Sequence, residues 1–157
     1  MKLNRIGLDA DKARHLVTEL NDLLANYQIL YQNVRGFHWN IKGEKFFELH
    51  LKFEELYDDL ILKIDEVAER ILTLAGQPDH AYSTYLQKSE VKEVENLSEG
   101  KVAVGSILAA LGILLQKQRS LLDLSGDASD EGTNALMSDY IREQEKLVWM
   151  YSAFLDR

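Results

Sequence analysis

Five side chains in this sequence could together hold a metal ion: His38, His50, Glu54, Asp65 and Glu69. Imidazole nitrogen mixed with carboxylate oxygen suits a borderline divalent cation such as Fe²⁺. Four of the five, His50, Glu54, Asp65 and Glu69, recur at helical spacing, and at about 100° per residue they fall within an arc of roughly 100°. They point to one surface beside an apolar stripe. His38 extends the stripe of the preceding segment through Tyr27, Tyr31 and Val34, so it is expected to face inward and supply a second imidazole. Taken singly, an inward histidine is an ordinary hydrogen-bonded core residue, and acids four apart are an ordinary solvated helix face. The combination is what points to metal.

The axial spacing decides how such a site could close. The centre of the His50/Glu54 pair lies about 22 Å along the helix from the centre of Asp65/Glu69, at about 1.5 Å per residue. One ion cannot touch both pairs in one chain. If two copies of the helix pack antiparallel about a two-fold axis, the His50 end of one meets the Glu69 end of the other, and each dimer makes two equivalent sites. This geometry leaves open whether Glu54 sides with His50 or with Asp65.

Other chemistries lack their residues. Glu-x-x-His repeated on two helices, the dimetal pattern within a single bundle, does not occur. Neither do His-Glu-x-x-His, a phosphate-binding glycine loop or Gly-x-Ser-x-Gly. The chain has no cysteine, which removes disulfides, thiolate ligands and thiol nucleophiles. A net charge of -8, from 26 acidic against 18 basic residues, attracts cations and repels nucleic acid. No N-terminal apolar leader and no run approaching about 20 apolar residues is expected to act as a signal or a membrane span, which makes the cytoplasm the default compartment.

The elements that must position these side chains are long helices. With 157 residues, one proline and nine glycines, the chain is expected to form one domain, residues 1–157, with few turns. A first helix starts at an Asp9 cap, carries Leu16, Leu20, Leu23, Tyr27, Leu30 or Tyr31, and Val34, and ends near Gly36 to Asn40. A second begins around Glu44 and carries Phe46, Leu49, Phe53, Leu56, Leu60, Ile64, Val67, Ile71 and Leu74, with Gly76 and Pro78 stopping it. Residues Ala81 to Glu93 read as a short helix across a long connection. A third helix is expected from a Ser98 cap through Val104, Ile107, Leu108, Leu111, Leu115 and Leu122 to Leu124, broken by Ser125-Gly126-Asp127. A fourth runs from about Asp130 to Leu155 on Leu136, Tyr140, Leu147, Tyr151 and Phe154, with Met137, Ile141, Val148 and Leu155 beside them. The expected fold is all-α, a ferritin-like four-helix bundle whose long connection between the second and third long helices is a crossover carrying the short helix. Met1 to Leu8 holds only Lys2 and Arg5 as basic residues and is no basic arm, and His15 and His80 read as surface residues.

Several stretches resemble the signature of the Dps, or miniferritin, family: Phe37-His38-Trp39-Asn40-Ile41-Lys42-Gly43, then Phe46, Phe47, Leu49-His50, Phe53-Glu54, and Asp65 with Ala68-Glu69-Arg70. The likeness extends over almost the whole chain, including Leu20-Asn21, Leu23-Leu24-Ala25 and Trp149. It implies a ferroxidase that binds iron at sites between two-fold-related subunits, oxidises Fe²⁺ with hydrogen peroxide, and stores ferric oxide inside a hollow homo-oligomeric shell of twelve subunits. It implies that His38 and His50 come from one subunit and that Glu54, Asp65 and Glu69 come from its mate. Where the motif most often has Asp, this chain has Glu54. Trp39 is similar to an aromatic that lies close to the iron in that family, which gives it either a redox role or that of an interface anchor. Asp127, Asp130, Glu131 and Glu145 resemble acids lining the three-fold pores through which Fe²⁺ passes, although charge at a helix N-terminus explains the first three equally well. Two competing expectations stand beside this one. A nucleoid protein that shields DNA is disfavoured by the net charge and the short N-terminus, and a helical assembly holding Zn²⁺ or a vestigial site needs metal content to separate it.

Overall fold

The computed structural model describes all residues, 1–157, and contains five helices: α1 (Ala10–Asn40), α2 (Phe46–Thr73), α3 (Tyr82–Lys88), α4 (Gly100–Asp127) and α5 (Glu131–Phe154). α1 starts because the Asp9 carboxylate accepts from the free N–H groups of Asp11 (3.0 Å) and Lys12 (2.9 Å). It ends where Ile41 turns extended. A connection of residues 41–45, with Gly43 at φ 88° and Lys45 at φ 65°, reverses the chain into α2, so the two helices pack antiparallel. α4 and α5 form the second antiparallel pair, joined at Ser129 (φ 56°).

Between the pairs runs the crossover, and α1 holds it through three buried asparagines. Asn21 donates to Gln77 O (3.1 Å) and accepts from Asp79 N (2.8 Å). Asn26 Oδ1 accepts from Ser89 Oγ, Glu90 N and Val91 N. Asn33 donates to Lys92 O (2.9 Å) and accepts from Val94 N (3.0 Å). These bonds satisfy the backbone of a segment too irregular to satisfy itself. They also explain why the short helix spans Tyr82–Lys88 and not Ala81–Glu93: Asn26 captures Ser89 to Val91 in extended form.

Other boundaries shift for local reasons. α4 begins at Gly100, behind Glu99, and Ser98 is not its cap, because the Ser98 carbonyl is bonded to Lys42 N (2.9 Å) in a bridge to the α1–α2 connection. Ser125-Gly126-Asp127 does not break α4, since Ser125 is buried and bonds back to Leu122 O (3.0 Å), keeping the turn helical. At the end of α2 the left-handed residue is Ala75 (φ 68°), and Gly76 is required by packing: a Cβ there would stand 2.5 Å from Val17 Cγ1. On α4 the fully buried leucines are Leu111, Leu114 and Leu121, whereas Leu115 and Leu122 are half-buried. α4 is also apolar and long enough by composition to cross a membrane, contrary to the sequence expectation, but its Ala103, Val104, Ile107 and Leu111 lie in the bundle core.

The bundle interior is committed to packing and to neutral hydrogen bonding. Tyr27 donates to Gln118, Gln118 to Gln144 Oε1 (2.7 Å), and Gln144 back to the Tyr27 hydroxyl (2.6 Å), closing a ring across α1, α4 and α5. Burial pushes the Tyr27 phenol far above its ordinary range, which fixes it as a donor. Asp130 is the one buried carboxylate, and Arg70 takes it at 2.7 Å. No acid remains free inside the bundle to hold an ion.

Candidate metal centre

His38 stands on the last turns of α1 and His50 on the first turns of α2, and the short connection folds one onto the other. Their rings stack at 3.8 Å between centroids with 11° between planes. The Nδ1 of His38 lies 2.6 Å from the carbonyl of His50, and the Nδ1 of His50 lies 2.7 Å from the carbonyl of His38. A carbonyl oxygen only accepts, so each Nδ1 carries the proton and donates. With Nδ1 so engaged, Nε2 is the nitrogen left to ligate a metal, the arrangement in which a backbone carbonyl orients a histidine ligand. Phe46 stacks on the outer side of His50 at 5.0 Å, and Tyr57 meets His38 edge-on at 5.3 Å. Both aromatics were legible as members of helical stripes, but their role as walls of the imidazole pair was not.

Glu54, one turn after His50, places Oε1 3.9 Å from His38 Nε2. That is too long for a hydrogen bond. It suits a shared cation, because two metal–ligand bonds of about 2.1 Å each span up to roughly 4.2 Å. Glu54 thus sits with the histidines of its own chain. The family resemblance implies instead that Glu54 serves the site of the opposite subunit.

Asp65 and Glu69 lie on the same face of α2 but three to four turns further along, exposed. Asp65 beside it holds the Glu69 carboxyl above its ordinary range, by a hydrogen bond and by like charge. Two carboxylates side by side raise the cost of each other's charge, which a cation between them would relieve. Within one chain no group of three or more His, Asp and Glu side chains is close enough to hold a metal ion. The ligand-type residues thus fall into two groups, candidate half-sites: His38, His50 and Glu54 at one end of α2, and Asp65 with Glu69 at the other.

Exposed apolar residues lie between and beyond the two groups of ligand-type residues along α2. Phe47 (80% exposed), Leu51 (57%), Leu62 (65%) and Leu72 (52%) lie on the face of α2 opposite the core. Exposed large apolar residues in a row mark an interaction surface. Trp39, 56% exposed, stands at the edge of this face with the Arg35 guanidinium 4.9 Å above its ring.

The acids read as pore residues do not cluster. Asp127 ends α4 rather than starting α5. Asp130 is turned inward, capping α5 through Thr133 N (3.0 Å) while paired to Arg70. Glu131 is exposed at the start of α5, and Glu145, about 21 Å further along at about 1.5 Å per residue, pairs with Arg119 at 2.7 Å. His15 and His80 are both exposed, the first beside Glu19 (3.7 Å) and the second bonded to Pro78 O (3.1 Å).

An antiparallel four-helix bundle with a long crossover and a histidine–carboxylate donor set defines a ferritin-like protein. The ferritin-like domain family matches residues 17–157. The chain is 46% identical to the DNA protection during starvation protein of Porphyromonas gingivalis, over 94% of this chain and 93% of that one. The crystal structure of the Dps protein from Vibrio cholerae O1, described as a member of a broad superfamily of ferritin-like diiron-carboxylate proteins, superposes with a TM-score of 0.97 at 55% identity, covering 99% of this chain and 98% of that one. A Dps protein from Bacillus brevis superposes at 0.89 with 33% identity, over 92% and 97%. The chain belongs to the Dps branch of the ferritin-like family.

Proposed function

We propose that this protein is a ferroxidase that binds Fe²⁺ between two-fold-related subunits and stores the oxidised iron. The observation that carries the reading is the pair of half-sites at opposite ends of α2. The imidazoles are oriented before any metal arrives, and the acids that would complete the site are about 22 Å away on the same helix. Antiparallel pairing of two α2 helices makes both sites whole.

In that pairing the Nε2 atoms of His38 and His50 and the Glu54 carboxylate meet Asp65 and Glu69 of the partner subunit. The carboxylates bind Fe³⁺ more strongly than Fe²⁺, which lowers the cost of removing an electron. Two Fe²⁺ ions deliver one electron each to a hydrogen peroxide molecule, which takes up two protons and leaves as two waters. Because peroxide is reduced by two electrons together, no hydroxyl radical is released. Ferric oxide then accumulates inside a homo-oligomeric shell, twelve subunits by family resemblance, and the protein forms a single ferritin-like domain across residues 1–157.

The net charge of -8 and the folded start of the chain, where Ala10 N bonds back to Lys2 O (2.8 Å), support iron handling over binding to a DNA backbone. Retention of DNA in a gel shift at physiological ionic strength would reverse that ranking. The direct test is anaerobic loading with Fe²⁺ followed by peroxide. Wild-type protein oxidises iron rapidly, and a His50→Ala/Asp65→Ala variant does so at least tenfold more slowly; equal rates exclude the site.

A further inference from the structure

The first residues of the chain fold back on α1 and build a surface that neither the core nor the half-sites use. Ala10 N donates to Lys2 O (2.8 Å), Asn4 N to Leu8 O (2.7 Å) and Gly7 N to Asn4 O (3.0 Å), so the segment is pinned rather than trailing. Together with Ala10 and Arg14 of α1 and with Leu72, Ala75 and Gly76 at the end of α2, it frames an open hollow of about 600 Å³. The floor is apolar, with Leu3 56% and Leu72 52% exposed. The rim is cationic, formed by Lys2, Arg5 and Arg14, the last of which is shared with Asp11. Asn4 Nδ2 is buried there without an acceptor, although its Oδ1 accepts from Ile6 N and Leu8 N.

The antiparallel register says what would fill this hollow. Placing His50 opposite the partner's Glu69, and Glu54 opposite the partner's Asp65, puts the two-fold axis beside the helix midpoint between Asp59 and Leu60 in both cases. The same centre brings Phe47 opposite the partner's Leu72. Phe47 is 80% exposed, the most exposed aromatic ring on α2, and it is flanked by Glu44 and Glu48, the latter 3.7 Å from Lys45. A largely exposed aromatic ring between acids, touched edge-on by Phe46, thus faces an unfilled apolar hollow between cations.

We propose that Phe47 of each subunit seats in the hollow formed by the partner subunit's N-terminal segment and the end of its α2. The partner is a second copy of this chain, and the contact occurs twice per dimer. The Glu44–Glu48 segment meets the partner's Lys2 and Arg5 and supplies an acceptor for the partner's Asn4 Nδ2. The consequence reaches the metal centre: Phe47 is three residues before His50, so this seat fixes the axial register in which the two half-sites meet. The proposal rests on the antiparallel α2 pairing of the preceding section.

The test uses the absence of cysteine, which gives a clean background. A Leu3→Cys/Phe47→Cys variant of the full chain is treated with a short bis-maleimide and run on a denaturing gel. The two positions stand near opposite ends of α2, roughly 35 Å apart at about 1.5 Å per residue, so a linkage arises only between chains. An Asp58→Cys variant, whose single thiol lies beside the two-fold axis next to its own copy in the partner, reports the pairing itself, and Leu3→Cys/Leu86→Cys serves as the control. Most Leu3/Phe47 chains linked as dimers, with the control unlinked, supports the seat. Linkage at 58 without linkage at 3/47 overturns the seat and leaves the paired helices standing. Linkage at neither overturns both, and equal linkage in the control marks the contact as non-specific and overturns the seat.

Discussion

Two variants that are each inactive should restore activity to one another when their subunits are exchanged. His50→Ala removes an imidazole from one half-site, and Asp65→Ala removes a carboxylate from the other. The centres of the half-sites are about 22 Å apart along α2, far beyond the reach of one ion or an adjacent pair of ions. Homodimers of either variant therefore have both sites damaged. In a heterodimer the two defects fall in the same site, and the other site receives His50 from the Asp65→Ala chain and Asp65 from the His50→Ala chain. Random exchange of equal amounts makes about half of the dimers mixed, each with one intact site of two, so about a quarter of the wild-type rate returns. The assay is peroxide-driven oxidation of anaerobically bound Fe²⁺, followed by the absorbance of ferric product, after co-refolding the variants from denaturant. No recovery above the sum of the separate variants, with correct assembly shown by size, would refute the shared-site reasoning.

Acidification should weaken metal binding early. Asp65 holds the Glu69 carboxyl above its ordinary range, so protons compete with a cation there at higher pH than at an ordinary carboxylate. The sign follows: protonation stabilises the free form as pH falls through the raised value, metal affinity drops over that window, and that stabilisation is lost as pH rises through it. Calorimetric Co²⁺ titrations in buffers of different ionisation enthalpy should show more protons released per ion as the pH is lowered toward the carboxylate range, and an unchanged count contradicts the raised carboxyl. Arg70→Ala leaves the Asp130 carboxylate, 1% exposed, without its cation and should cost about 3 kcal/mol in denaturant unfolding; a loss under about 1 kcal/mol would show that the pair is solvated. Gly76→Ala drives a methyl group to within 2.5 Å of Val17 and should cost about 1–3 kcal/mol. Adding Val17→Ala should recover much of that loss, and no recovery would trace the defect to the backbone.

Most of the long-helix architecture was written in local order. The apolar residues of α2 recur so regularly that every one expected inside except the terminal Phe46 is buried, and the Asp9 cap is made as the sequence predicts. Errors cluster where a distant group overrides a local signal. Ser98 has the chemistry of a cap but gives its carbonyl to Lys42, and Ala81 to Glu93 has helix-forming residues but loses its second half to Asn26. Asp130 resembled a solvent-facing acid because nothing nearby in sequence announces that Arg70, on another helix, will bury it.

For the metal centre the division is similar. Residue types and spacing determined that imidazole and carboxylate lie on one helical face, and rise per residue determined that the His50 and Glu69 ends cannot meet in one chain, because these are properties of the helix alone. The 3.9 Å approach of Glu54 to His38 was decided only when α1 and α2 packed, since it depends on the angle between two helices. The reciprocal bonds from each histidine to the other's carbonyl, which fix where the lone pairs point, likewise exist only once the chain has reversed through Gly43 and Lys45. Periodicity travels along one element, whereas the orientation of a donor atom is set by whatever packs against it.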